Sequence, residues 1–172
     1  HMSESKPTYA RELDLAKRAA RAAGEAVMQF YNAQTAQTYV KKDGSAVTDA
    51  DLAADRIIRQ SILDAFPNDA LLTEEGVDDD LRLGNPRVWI VDPIDGTNQF
   101  VERTGEFDVL IALVVDGRPV VSVTYQPTED MLLSAVTGQG AWIEQRDNSA
   151  PLRLTALAQD APPRLMTSIW LG

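Results

Sequence analysis

The amino-acid sequence predicts an α/β fold of the layered α+β kind, in which two N-terminal helices pack on a largely antiparallel mixed sheet. Three observations carry this expectation. Apolar side chains recur at helical spacing in two early segments, residues 8–31 and 48–66. From residue 70 onward, short runs rich in Val, Ile, Leu and aromatic residues alternate with turn residues. The strongest of those turns is Asp116-Gly117, a dipeptide suited to the positive φ angles of a tight hairpin.

The first helix is predicted over residues 8–31, where Leu13, Ala16, Ala20, Ala23, Val27 and Phe30 form one apolar face and Lys17, Arg18 and Arg21 fall on the other. It reads as scaffolding. Thr35 to Val40 reads as a short strand, and Lys41-Lys42-Asp43-Gly44-Ser45 as a polar turn. A second helix opens at Thr48-Asp49-Ala50-Asp51, carries Leu52, Ile58, Ile62, Ala65 and Phe66 on its apolar side, and stops at Pro67. Thr48 and Asp51 have the spacing of a capping box. A sharper reading gives Asp51 a second task, orienting a hydroxyl or a water at the acidic turn described below.

Ala70 to Thr73 is a brief strand ending at Glu74-Glu75-Gly76. Taken alone, that pair of acids reads as a surface turn, but another strand ending in acid follows within twenty residues. Between them, residues 77–85 with Asp78-Asp79-Asp80 form a solvated loop to which no role is assigned. Arg87 to Val91 is a buried strand expected to end at Asp92, because Pro93 removes a ladder donor and Gly96 lets the chain turn. Further strands are predicted over residues 105–115, 119–125, 130–137 and 140–143, with an edge strand at 152–155. Trp142 is taken as a packing residue. Residues 145–163 read as a polar, Pro-containing linker, and 164–171 as another apolar strand. The chain therefore divides into a tag scar and flexible start (1–7), a metal-binding α+β domain (8–160) and the start of a truncated C-terminal domain (161–172).

Composition narrows the chemistry. Sixteen basic residues against 26 acidic ones give a net charge of −10, which disfavours a nucleic-acid polymer as partner. Cysteine is absent and the single histidine is His1, part of the His1-Met2 scar, so thiol, Ser-His-Asp and His-ligated metal chemistry are excluded. No apolar run approaches the roughly 20 residues of a membrane span, and a cytoplasmic protein is expected. Carboxylates must do the work. Asp92 and Asp95, three residues apart on a constrained turn, converge on a point that like charges tolerate only around a cation. Oxygen-only ligands favour Mg²⁺ shared with a phosphate. A helix over residues 97–102 would aim the free N–H groups of Gly96, Thr97 and Asn98 at the same place.

Three blocks, Asp43-Gly-Ser-Ala-Val-Thr-Asp-Ala-Asp51, Leu72-Thr-Glu-Glu75 and Trp89-Ile-Val-Asp-Pro-Ile-Asp-Gly-Thr97 followed by Phe100, resemble the inositol monophosphatase family of Mg²⁺-dependent, Li⁺-sensitive phosphomonoesterases. The likeness runs from about residue 13 to the end. It implies the N-terminal half of the inositol monophosphatase and sugar phosphatase fold, and hydrolysis of a small phosphorylated metabolite by a metal-activated water. By matching position, Glu74, Asp92 and the Ile94 carbonyl would hold one Mg²⁺, Asp92 and Asp95 a second, and Glu74 would also help a weaker third. Asp51 and Thr97 would orient the attacking water, with Glu75 near it. The Gly96 and Thr97 amides would hold phosphate oxygens. A homodimer is expected on the same ground. The family's C-terminal Trp-Asp motif has no match here, so the chain is expected to be a truncated form that turns over little.

Arg103-Thr-Gly-Glu-Phe107 and Ile111-Ala-Leu113 look more like the 3′(2′),5′-bisphosphate nucleotidase branch, while Asn98-Gln99 fits neither branch. Among substrates, 3′-phosphoadenosine 5′-phosphate leads; inositol monophosphate, histidinol phosphate and sugar bisphosphates stay open. Two other readings stand beside hydrolysis by water. One makes Asp92 a nucleophile that forms an aspartyl-phosphate. The other makes the chain a non-catalytic metal-binding or dimerisation fragment.

Overall fold

The computed structural model describes residues 8–76 and 80–153. Helix α1 (Ala10–Ala33) buries Leu15, Ala16, Ala19, Ala20, Ala23, Gly24 and Val27, a stripe of mostly small side chains that lets the helix axis approach its neighbours closely. It packs on helix α2 (Asp49–Ala65) and on the middle of the sheet. The buried stripe of α2 is Ala50, Asp51, Ala54, Asp55, Ile58 and Ile62. Leu52, expected on that face, is 40% exposed. Steps of four residues back from Ile62 and Ile58 lead to Ala54 and Ala50 and leave Leu52 outside.

Between the helices, β1 (Thr38–Val40) pairs with β2 (Ala46–Thr48) as a separate antiparallel hairpin around the polar turn. The second strand of this hairpin was not foreseen, since Ala46 to Thr48 runs straight into α2. The main sheet has seven strands in chain order: β3 (Ala70–Thr73), β4 (Arg87–Asp95), β5 (Asp108–Val115), β6 (Arg118–Gln126), β7 (Met131–Val136), β8 (Gly140–Gln145) and β9 (Asn148–Leu152). Only β3 and β4 run parallel; every other neighbouring pair is antiparallel. A short 3₁₀ turn (Leu81–Gly84) lies on the β3-to-β4 crossover, and helix α3 (Thr97–Glu102) follows β4. The α/β layered class read from the sequence therefore holds.

Burial alternates along the central strands, so the sheet has two unlike faces. Trp89, Val91, Val109, Ile111, Leu113, Val121 and Val123 are buried towards the helices. Ile90, Leu110, Ala112, Ser122 and Thr124 line a shallow groove of about 290 Å³ on the other face, with Asp92 at its rim. Trp89 also donates its indole N–H to Asp69 (2.9 Å), which with Glu12 holds Arg87, locking the entry of β4 to both helices' side of the molecule.

Three expectations need correction. Strand β4 does not end at Asp92 but continues to Asp95, because the register slips between those residues and the ladder asks for no N–H from Pro93. An edge strand lies at Asn148–Leu152, inside the segment read as linker and ahead of the expected 152–155, of which residues 154 and 155 lie outside the described residues; its five residues are all exposed and offer no apolar alternation, and Pro151 is tolerated on an edge. Trp142 keeps 42% of its surface exposed at the margin of the sheet. The tag scar and start (1–7), the triple Asp apart from Asp80, the rest of the linker and the 161–172 segment with its strand over 164–171 lie outside the described residues.

Close packing of α1 on β6 yields a stability prediction. A Cβ on Gly24 would fall 2.5 Å from Cε1 and 2.8 Å from Cδ1 of Tyr125, whose ring is held by Arg21 above it and by a hydroxyl bond to Asp130. Gly24→Ala gains up to ~1 kcal/mol of helix propensity but incurs overpacking of roughly 1–3 kcal/mol. Net destabilisation of about 1 kcal/mol is expected in urea unfolding with an unchanged m-value; a midpoint equal to or above that of the parent would contradict this packing.

A candidate metal and phosphate site

The site begins where the parallel β3–β4 pairing ends. Thr73 lies opposite Val91 in that register, so the next residues, Glu74 in the turn after β3 and Asp92 still within β4, stand side by side. The Glu74 N–H bonds the Val91 carbonyl (3.2 Å), extending the pairing one step into the turn. Asp92 accepts from the Ile94 N–H (3.2 Å). Its carboxyl is pushed up to about 7 by burial, by Glu74, whose carboxylate lies within hydrogen-bonding reach, and by the charge of Asp95. Glu74 and Asp95 thus each act on Asp92.

Gly96 then turns the chain at φ 100, a left-handed conformation in which an added Cβ would meet the Glu106 carbonyl at 2.9 Å. Helix α3 starts at once, and no side chain caps it. The Thr97 hydroxyl sits 3.1 Å from Asp51 Oδ1 and 3.2 Å from the Ile94 carbonyl. Its one proton can serve either acceptor, leaving its oxygen free to accept from a third group.

Asp51 is 1% exposed. Its Oδ2 takes the Thr48 N–H (2.8 Å) and hydroxyl (2.5 Å), completing the capping box of α2, while Oδ1 faces Thr97. The bland and the sharp geometry coexist in one side chain. Burial pushes its carboxyl up, against the hydrogen bonds from Thr48 and Thr97 that favour the charged form.

Lys41, read from sequence only as part of a polar turn, reaches from the β1–β2 hairpin to Glu74 (2.8 Å) and Glu75 (2.6 Å). Glu75 has a side chain only 6% exposed, and burial pushes its carboxyl up. Asp108, also missed, stands directly opposite Asp95 across the β4–β5 ladder, and both burial and Asp95 push its carboxyl up. No local signal could have found either contact, since both arise from strand pairing or from a chain separation of over thirty residues.

The residues fit a hard divalent cation by their chemistry: hard oxygen donors only, with mutual repulsion that positive charge would relieve. Among the described residues, no group of three acidic side chains is already arranged to hold an ion. Glu74 instead accepts from the Lys41 ammonium (2.8 Å).

Crowded acids make a pH prediction. Folded Asp92 keeps its proton up to about pH 7, whereas the unfolded group loses it near 3.8, so between those values the folded chain binds more protons and its stability falls as pH rises. The raised carboxyls of Asp51, Glu75 and Asp108 act in the same direction. Asp43 and Glu144, held below their usual values, have their effect below that window. In chelator, Tm is expected to fall from about pH 5 to pH 7.5, and excess Mg²⁺ to flatten the slope. A Tm that rises over this interval, or a slope indifferent to Mg²⁺, would contradict it.

Residues 9–165 match the family model described as the inositol monophosphatase family. The 3′(2′),5′-bisphosphate nucleotidase CysQ of Escherichia coli K12 is 38% identical over 156 residues, covering 90% of this chain and 61% of that protein. Histidinol-phosphatase of Chlorobaculum parvum is 36% identical over 150 residues, 87% of this chain and 56% of that one. Among solved structures, the extragenic suppressor protein suhB of Bartonella henselae superposes with a TM-score of 0.74 at 32% identity, over 80% of this chain and 53% of that one. The chain thus spans between half and two thirds of the length of these relatives.

Proposed function

The chain belongs to the inositol monophosphatase family, and from that premise we propose that the whole protein is an Mg²⁺-dependent, Li⁺-sensitive phosphatase that hydrolyses a small phosphomonoester to an alcohol and inorganic phosphate. The observation that carries this is the convergence of Glu74, Asp92 and Asp95 beside the Asp51–Thr97 pair, at the start of α3.

Glu74, Asp92, Asp95 and the Ile94 carbonyl would hold Mg²⁺, with Glu74 first released from Lys41. Bound there, the ion would supply the positive charge that makes a water acidic enough to react near neutral pH and that offsets charge on the departing alkoxide. The chain's own groups do the rest. Thr97, fixed by Asp51, offers its hydroxyl oxygen to the attacking water, and the buried Asp51 carboxylate draws the released proton through that hydroxyl. Amides of Gly96 and Thr97, left without a side-chain cap, hold phosphoryl oxygens as they turn over in the reaction. Glu75, its carboxyl raised by burial and further by the charges of Glu74 and Asp51, would stand near that water.

An aspartyl-phosphate mechanism is less well supported, because the charges of Glu74 and Asp95 beside Asp92 oppose the direct approach of an anionic phosphoryl group to its carboxylate. For the substrate, the nucleotidase named among the relatives and the Arg103–Phe107 segment favour a bisphosphate nucleotide, with histidinol phosphate next on the ground of the second relative. A homodimer in the cytoplasm is part of the same proposal.

Phosphate release by the whole protein, assayed across 3′-phosphoadenosine 5′-phosphate, inositol monophosphate, histidinol phosphate and sugar bisphosphates, tests this reading. Asp92→Asn is expected to lower kcat/KM for the preferred substrate by about 100- to 1,000-fold, with millimolar Li⁺ inhibiting the parent. Turnover unchanged in Asp92→Asn would sink the assignment, as would activity that persists in chelator.

A further inference from the structure

The turn that carries Glu74 and Glu75 has a support outside the acidic cluster. Asp55 and Arg59 lie four and eight residues after Asp51, on the same edge of α2. Asp55 is 8% exposed, its Oδ1 has no hydrogen-bond partner, and its Oδ2 lies 3.5 Å from Arg59 Nε. A carboxylate so placed is costly to bury, and its one charged partner is this guanidinium. Arg59 in turn reaches across to the end of β3, where its Nη2 donates to the hydroxyl of buried Thr73 (3.0 Å). The same nitrogen lies 2.3 Å from the position a Cβ on Gly76 would take, and Thr73 Oγ1 lies 2.5 Å from it. Gly76 closes the turn by donating its N–H to the Thr73 carbonyl (3.3 Å). The guanidinium therefore touches both ends of the four-residue turn whose two middle residues are Glu74 and Glu75.

We propose that Arg59, anchored by Asp55, is a positioning residue that sets the Glu74 turn against Asp92 through the Thr73 hydroxyl and the bare Cα of Gly76. It touches neither substrate nor ion. Its planar fork bonds Thr73 at one end and Asp55 at the other, which a lysine ammonium on a flexible stem would not reproduce. Without it, the strand end keeps its pairing to β4, but the turn beyond it loses its outer wall and the position of Glu74 relative to Asp92 is no longer fixed. This proposal rests on Glu74 and Asp92 being metal ligands, as argued above.

Binding of Mn²⁺, a hard cation that suits the same oxygen donors, tests it on the 172-residue chain by counting free ion from its paramagnetic resonance signal. Arg59→Met and Thr73→Val are each expected to weaken Mn²⁺ binding about 10-fold or more, within the range usual for residues that orient metal ligands. Thr73→Ser, which restores the hydroxyl, should bind within about twofold of the parent, and the double variant Arg59→Met/Thr73→Val should be no weaker than the worse single one. Melting in chelator should separate Thr73→Val from Thr73→Ser far less than Mn²⁺ binding does. Parent-like binding by Thr73→Val, or additive losses in the double variant, would overturn the positioning role; where Arg59→Met does not fold, the Val and Ser variants at position 73 decide alone. Should the parent bind no Mn²⁺, or Asp92→Asn bind it as well as the parent, the metal-site reading itself falls and takes this inference with it.

Discussion

Everything at the acidic end of this molecule depends on a single parallel pairing. With Thr73 opposite Val91, strands β3 and β4 must bring Glu74 and Asp92 to the same level, one just past the end of its strand and the other still within it. An antiparallel pairing would have sent the two acids to opposite ends of the sheet. Parallel strands need a crossover, and here the chain between residues 73 and 87 supplies it, passing through the 3₁₀ turn Leu81–Gly84. The rest of the sheet runs antiparallel and is built for stability. Its alternating strands bury Val109, Ile111, Leu113, Val121 and Val123 against helices whose contact faces are largely alanine. The single exception in topology is also where the chemistry gathers.

That arrangement sets stability against function. Burial, with repulsion from Glu74 and Asp95 added to it, raises the Asp92 carboxyl to about 7 and works against folding near neutral pH. Asp108 opposite Asp95 adds to the strain, in a chain already carrying a net charge of −10. Elsewhere opposite charges are carefully matched: Lys17 and Arg21 of α1 hold Glu144 of β8 and Asp130, and Arg87 holds Glu12 and Asp69. Glu74, Asp92, Asp95 and Asp108 instead bring like charges together around the end of β4. The Lys41 ammonium, partly buried between Glu74 and Glu75, has its affinity for protons raised by both carboxylates, which outweigh the effect of its burial.

How far the sequence could be read follows from the range of each signal. Helices α1 and α2, the Asp116-Gly117 hairpin and the strands with alternating burial are encoded within a dozen residues and were legible. Strand β9 was not, because Asn148–Leu152 is exposed along its whole length and is held by pairing alone. The run of β4 past Pro93 depends on a register slip against β5, which no local pattern announces. In the site, Asp92, Asp95 and Gly96 could be placed from their own turn, and Asp51 from its capping spacing. Lys41, Arg59 and Asp108 could not, since each acquires its meaning only from a partner on another element: Glu74 and Glu75, Thr73, and Asp95 respectively.

Asp51 shows why the two kinds of reading need not compete. Its Oδ2 is spent on the Thr48 backbone and hydroxyl, bonds that any capping box would make and that fix the carboxylate plane relative to the helix start. Once that plane is fixed, Oδ1 has no freedom left and points at Thr97, forty-six residues away in sequence. The cap thus provides the rigidity that a catalytic carboxylate otherwise has to obtain from additional partners, and the same buried environment that stiffens it raises its affinity for a proton. A longer acid at this position could still reach the backbone, but it would hold its second oxygen on a different arc. The local motif therefore specifies not merely that α2 begins here, but where the oxygen that meets Thr97 must lie.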